Sequence, residues 1–261
     1  EEARQIIPGG VQHNLAFNYP FPLVFTKAEG AYLYDVDGNK YFDFLQAGGP
    51  TVLGSNPKAV REQVIDLLNT CGPSTGLFHE FEYKLAKKIS DSIETVDMFR
   101  MMGSGTEACM GAARIADLHK HKNIIKMGGA YHGWSDQMAY GIRVNGTKFT
   151  QAHGVPLNAF MFIQETTPND LDELRESSDS TSSAAAQQPF IWSRLGPESG
   201  DYPITVEYVK GVERLCRKYG ALLVFDEVVT GFRIGMAGAQ GYFGDRPTLT
   251  IFGKVIAGGY P

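Results

Sequence analysis

Hydrophobic positions change their period in a regular order along the chain. From Gly30 to Phe44 the run G-A-Y-L-Y-D-V-D-G-N-K-Y-F-D-F alternates apolar and polar residues on either side of Asp37-Gly38-Asn39, the pattern of two strands joined by a hairpin turn. After Asn56-Pro57 the spacing lengthens. Val60, Val64, Leu67 and Leu68 share one helical face, and Leu85, Ile89 and Ile93 repeat the spacing, so two amphipathic helices are predicted. Beyond them strands and helices alternate: strands at residues 98–102, 123–127, 159–163 and 221–225, helices at 106–118 and 206–218. This order predicts an α/β fold on a mostly parallel sheet with helices on its faces. Ligands of such sheets sit beyond the carboxyl ends of the strands. One stretch breaks the pattern, E-S-S-D-S-T-S-S-A-A-A-Q-Q at residues 176–188, and reads as a polar surface loop or as an altered stretch of sequence.

Composition narrows the classes. Of 261 residues, 43% are hydrophobic and 20% charged, with a formal charge of −5, which describes an ordinary globular chain and gives no basic footprint for nucleic acid. No apolar run reaches the roughly 20 residues of a membrane span. The start, Glu-Glu-Ala-Arg, does not resemble a signal peptide, so a cytoplasmic location is the expectation. Cys71, Cys109 and Cys216 lie far apart without metal-ligand spacing, which favours reduced thiols. Glycine is the outlier: 30 residues against a usual share of roughly 7%, a surplus that suits tight turns and close backbone approach to a ligand.

Four segments carry candidate chemistry. Gly103-Ser104-Gly105-Thr106-Glu107-Ala108 follows a predicted strand and opens a helix. It could hold a phosphate on free N–H groups and hydroxyls, bind a dinucleotide, or be a plain capped helix start. The dinucleotide reading lacks its acidic residue after the next strand, which ends Lys126-Met127-Gly128-Gly129. Tyr131-His132-Gly133-Trp134 comes next: the tyrosine ring could stack on a planar group or simply pack, and His132 could be a general base or a hydrogen-bonded histidine. His119 and His121 read as solvated helix-end residues. In A-L-L-V-F-D-E-V-V-T-G-F-R, Asp226 ends an apolar strand and needs a metal, an arginine such as Arg233, or a protonated heterocycle beside it. Lys254, flanked by apolar residues and followed by Gly258-Gly259, is either an exposed edge lysine or a desolvated amine able to form a Schiff base.

In this order the four segments closely resemble the class III pyridoxal-phosphate-dependent aminotransferases of fold-type I, and most of all the glutamate-1-semialdehyde 2,1-aminomutase group. I-P-G-G-V at residues 7–11, the hairpin, L-G-S-N-P-K-A-V at 53–60 and A-G-A-Q-G-Y-F at 237–243 extend the resemblance, which leaves out only about residues 176–194. It implies pyridoxal 5'-phosphate (PLP) as cofactor, a Schiff base on Lys254, and Asp226 against the pyridinium nitrogen as the second catalytic group. Ser104, Gly105 and Thr106 would hold the phosphate. Tyr131 and Val228 would lie on the two ring faces, and His132 completes the implied cofactor-binding set. A small-molecule amino donor, a keto or aldehyde acceptor and a homodimer with shared active sites are implied as partners. Residues 1–50 would belong to a small domain and 51–261 to the large PLP-binding domain.

Departures bear on the substrate. The aminomutases carry an arginine shortly after I-P-G-G-V; here Gln12-His13-Asn14-Leu15-Ala16-Phe17 has none. Ser193-Arg194 stands where the family has Glu-Pro, and Gly103 where it has Asn. Family members also continue well past the lysine, so the chain, which stops seven residues after Lys254, reads as the N-terminal part of a longer enzyme with the C-terminal part missing. The sequence thus predicts PLP-dependent amino-group transfer, as a transaminase or an aminomutase. A catalytically silent relative and, less favoured, an NAD-dependent dehydrogenase are the alternatives.

Overall fold

The alternating segment near the N-terminus folds as a three-stranded antiparallel sheet in the computed structural model of the chain: β1 Phe25–Glu29, β2 Tyr32–Asp35 and β3 Lys40–Phe42. The structure describes residues 2–13, 16–71, 76–118, 123–141, 153–182, 189–193 and 203–260. Asp35 makes the β2–β3 turn. Its Oδ1 accepts from the N–H groups of Asp37 (3.0 Å) and Asn39 (2.8 Å), and its Oδ2 from the Tyr41 hydroxyl (2.8 Å), so one buried carboxylate organises the hairpin. Strand β1, F-T-K-A-E, has no clean alternation and is missing from the sequence prediction. Two helices accompany this sheet, α1 Ala3–Ile6 and α2 Lys58–Thr70. Val60, Val64 and Leu67 are half-buried as the periodicity predicts, while Leu68 is exposed.

The chain divides into two compact units, Glu1–Pro73 and Ser74–Pro261. Helix α2 falls in the first, beyond the boundary at residue 50 that the sequence suggested. The second unit contains α3 Glu80–Ser92, α4 Gly105–Leu118, β4 Asn123–Met127, β5 Ile163–Thr166, α5 Leu171–Ser182, β6 Pro189–Ser193, α6 Val206–Tyr219, β7 Leu222–Glu227, α7 Gly238–Phe243 and β8 Leu249–Phe252. Its five strands pair in parallel in the order β5-β4-β6-β7-β8. The chain leaves β4 toward β5, then crosses back to the other side, so a topological switch lies beside β4, the place where open α/β sheets leave a crevice.

The period of two along each strand divides the core. Ile125, Met127, Leu223 and Phe225 pack with Leu174 of α5 and Tyr208, Val209, Val212 and Cys216 of α6. Their strand neighbours Ile124 and Val224 turn to the other face, against Cys109, Ala112 and Ala116 of α4. Helices therefore cover both faces, and each fully buried aliphatic side chain contributes about 1.5–3 kcal/mol. No helix among the described residues is long and apolar enough to cross a membrane.

Three expectations are corrected. Residues 98–102 are irregular, and Met98 and Met101 are exposed; a strand exists only by pairing, and no described strand runs beside them. The strand expected at 159–163 begins at Ile163, after a 3₁₀ turn at Leu157–Phe160. Its later residues, Glu165 and Thr166, are buried but polar, which hid the strand from an apolar pattern. The first part of the expected polar loop at 176–188 is helix, the end of α5; residues 183–188 lie outside the described residues. Leu174 is in the core, and Ser178 satisfies its hydroxyl on the Leu174 carbonyl (2.8 Å), so serines here cost the helix little.

One buried acid sets a pH dependence. Asp245, 4% exposed, has its carboxyl pushed from 3.8 up to about 6 by burial first and by the neighbouring Glu213 carboxylate second, against a smaller pull from Lys210. A carboxyl raised on folding stabilises the native state below its ordinary range, and that stability is lost as pH rises through about 6. Asp245→Asn should therefore gain stability over the parent at pH 8 but not at pH 3.5, by on the order of 1–3 kcal/mol in urea unfolding. Equal effects at both pH values would refute it.

Candidate active site

The carboxyl ends of β4, β7 and β8 and the first turn of α4 enclose a cavity of about 230 Å³. Ser104, Gly105, Thr106, Tyr131, His132, Asp226, Val228 and Lys254 all line it. Residues up to 150 positions apart in sequence are thereby brought to one place. Cys109, Gly133 and Gly253 line it as well. Cys109 is absent from the sequence-predicted set although its spacing, one helical turn after Thr106 on the same face, was a usable signal. His119 and His121 lie outside the described residues.

Asp226 is the penultimate residue of β7, with 2% exposure, and it meets His132. Nδ1 of His132 lies 2.6 Å from Asp226 Oδ2, both side chains being buried; facing an ionised carboxylate, Nδ1 carries the proton and donates. The N–H of Val228 donates to Oδ1 (3.0 Å), and Cys109 Sγ lies 4.0 Å from Oδ2. Arg233, the local cation considered from sequence, is exposed instead.

Ser104 caps α4: its Oγ accepts from the Glu107 N–H (3.2 Å), as one of the sequence readings held. The hydroxyl proton stays available to donate, and Gly105 and Thr106 follow in the first turn, where backbone N–H groups have no acceptor within the helix. Loop and helix meet here without room for a side chain. Gly133 has φ +89°, and a Cβ on it would lie 2.6 Å from Thr106 Oγ1 and 2.8 Å from Thr106 Cα. Gly133→Ala is expected to destabilise the fold by about 2–3 kcal/mol through backbone strain and overpacking; an unchanged denaturant midpoint would contradict this packing.

Lys254 is not in the strand interior. Strand β8 ends at Phe252, Gly253 is extended, and Lys254 opens a 3₁₀ turn, Lys254–Ala257, with φ +47°. A non-glycine residue in the left-handed region costs of order 1–3 kcal/mol and is kept where surroundings impose it. Val228 packs closely over the preceding residue: a Cβ at Gly253 would meet Val228 Cγ1 at 3.0 Å, and the next residue, Lys254, lines the cavity.

Glu227 was passed over in the sequence and holds the frame. It is 0% exposed, facing away from its neighbour Asp226, and accepts from Ala239 N (2.6 Å), Gln240 N (3.1 Å), Gln240 Nε2 (2.9 Å) and Thr230 Oγ1 (3.1 Å). Gln240 Nε2 also reaches Thr250 Oγ1 of β8 (3.3 Å). The strands that deliver Asp226 and Lys254 are thus tied by one buried polar network, which fixes geometry because every member is satisfied.

The family profile described as Aminotransferase class-III matches residues 15–261. The chain belongs to the class-III aminotransferases. An omega-transaminase from Sphaerobacter thermophilus superposes on all of this class-III chain with a TM-score of 0.92, at 27% identity and over 60% of its own length. A transaminase solved with PLP bound gives 0.92, 28% identity and 61% of its length, again covering the whole chain. A glutamate-1-semialdehyde aminomutase from Pseudomonas aeruginosa, 22% identical, shares the fold with a TM-score of 0.85, over 100% of this chain and 57% of its own. The parallel sheet between two helix layers is the fold-type I transferase architecture, and this class-III chain spans about 60% of the length of the first two neighbours.

Proposed function

We propose that the cavity binds PLP and that the protein transfers amino groups with it. The observation that carries this reading is the juxtaposition, in one cavity, of a helix start with hydroxyls, a buried carboxylate and a lysine amine. The donor set suits the cofactor. A phosphate dianion fits the first turn of α4 with the Ser104 and Thr106 hydroxyls; a protonated ring nitrogen fits Asp226, whose charge is otherwise met by a histidine N–H. Tyr131 and Val228 offer an aromatic and an aliphatic wall for the ring faces. Lys254 would hold the cofactor covalently through Nζ.

Bound PLP supplies an electron sink for the carbon that bears the substrate amine. The chain's own part is positioning and proton transfer. Asp226, oriented by its contacts with His132 and the Val228 N–H, would hold the ring nitrogen's proton in place. Lys254 Nζ, at the mouth of β8 on a flexible stem, would carry a proton between two carbons on one side of the ring, a task that needs an amine whose pKa lies near working pH. Neither step uses a metal ligand set.

Transfer between two molecules is favoured over the intramolecular aminomutase reaction, because residues 12–17 supply no arginine for a substrate carboxylate. Assembly as a homodimer belongs to the same reading, and the exposed Leu77, Phe78, Met98 and Met101 are apolar surface of the kind that partners cover. Adding PLP should give a visible absorbance band that an amine donor discharges and a keto acid restores. A band that forms and never responds to any amine donor would mark a silent cofactor-binding relative.

A further inference from the structure

Lysine is almost never fully buried unless its charge is met, yet Lys126 has 0% exposure; it is the fourth residue of β4, on the same face as Ile124. Its Nζ donates to the carbonyls of Tyr140 (2.6 Å), Ala130 (3.0 Å) and Met138 (3.4 Å). Three carbonyl acceptors take three N–H bonds, so the group is an ammonium. Burying an ammonium is expensive unless its donors are met. All three of these acceptors lie in the loop that follows the strand, residues 129–141, whose ends are joined by Gly129 N to Gly141 O at 2.9 Å. Within this closed loop the ammonium is what the carbonyls of Ala130, Met138 and Tyr140 face.

The same loop delivers the site. Between the first and second carbonyls run Tyr131, His132 and Gly133: the tyrosine lines the cavity, His132 meets Asp226 at 2.6 Å, and Gly133 lies against Thr106. We propose that Lys126 is a positioning residue of the active site, the core around which the 129–141 loop folds, acting on the cavity through Tyr131 and His132. Its contact with the bound cofactor is indirect, and this last link rests on the reading of the cavity as a PLP site; the loop clamp itself does not.

Hydrogen exchange read by mass spectrometry on the protein without PLP tests the clamp. In the parent, loop peptides from 129–141 should exchange within about tenfold of the β4 peptides; exchange at the rate of an unstructured peptide overturns the proposal. In Lys126→Met, exchange in the loop should quicken at least about tenfold while β7 keeps its protection. Unchanged loop protection, or equal loss in loop and β7, overturns it, the latter because Lys126 would then be a general core residue. Lys126→Gln, which returns two N–H donors on a shorter stem, should restore part of the loop's protection, and it decides the matter if the methionine variant does not fold. With PLP added, Lys126→Met should bind at least about tenfold more weakly at temperatures where its unfolding curve shows it native, and Lys126→Gln should recover part of that loss. A loosened loop with unaltered PLP affinity overturns the positioning role. A parent protein that takes up no PLP overturns the cofactor reading instead, with the clamp still judged by exchange alone.

Discussion

Lys254→Ala is expected to lower amino transfer at least ~10³-fold while leaving the fold intact, since one group is lost that would serve as both attachment point and proton carrier. The fold should survive because Lys254 sits half-buried in a turn after β8, outside the two sheet cores. Alanine at a left-handed φ of +47° bears the same strain as lysine, so the substitution removes the amine without a new backbone cost. PLP would still bind through the helix start and Asp226, now without a covalent link. Small amines added to the solution should return part of the lost rate, as they enter the space left by the side chain. A variant within tenfold of the parent would place the proton transfer elsewhere.

Asp226→Asn is the second large effect, an expected ~10²–10³-fold loss in rate. The side chain keeps its shape, but it has one oxygen where the carboxylate has two: Val228 N can keep its acceptor while His132 Nδ1 then faces an amide NH2, and the buried negative charge is gone. Removing one partner of a buried charge pair costs about 3–5 kcal/mol, roughly two to nearly four factors of ten at 1.36 kcal/mol each, so the stated range follows if most of that cost falls on the transition state. PLP affinity should fall far less than the rate, because the phosphate contacts on α4 remain. Asp226→Glu should not rescue the activity: one more methylene in a site already closed by His132 at 2.6 Å moves the charge and crowds the ring. Equal losses in affinity and rate would make Asp226 a structural anchor, not an electronic one.

The segments that the sequence made legible are those whose apolar period is undisturbed. Strand β4, N-I-I-K-M, was found at its observed bounds despite Lys126 as its fourth residue, and α6 to within one residue, because Val209, Val212 and Cys216 recur at helical spacing and Gly220 follows. Strand β5 was misplaced because two of its four residues, the consecutive and therefore oppositely facing Glu165 and Thr166, are polar although buried. The cavity residues were legible as four punctuated motifs, three of them at or just after a strand end and the fourth at the start of α4, since the sheet's topology puts strand ends together. Partnerships were not. His132 and Asp226 lie 94 positions apart, Lys126 faces carbonyls that have no sequence signature, and Glu227 collects donors from a helix whose register follows only once α7 is placed. Pairings of this kind are products of packing, and local pattern carries no record of them.

The most direct test of the central claim is chemical. PLP is added to the protein, the complex is reduced with borohydride, and the peptides are mapped by mass spectrometry. The proposed site requires a single pyridoxyl label on the peptide that contains Lys254, absent in Lys254→Ala. A label on any other lysine, or none at saturating PLP, would contradict it.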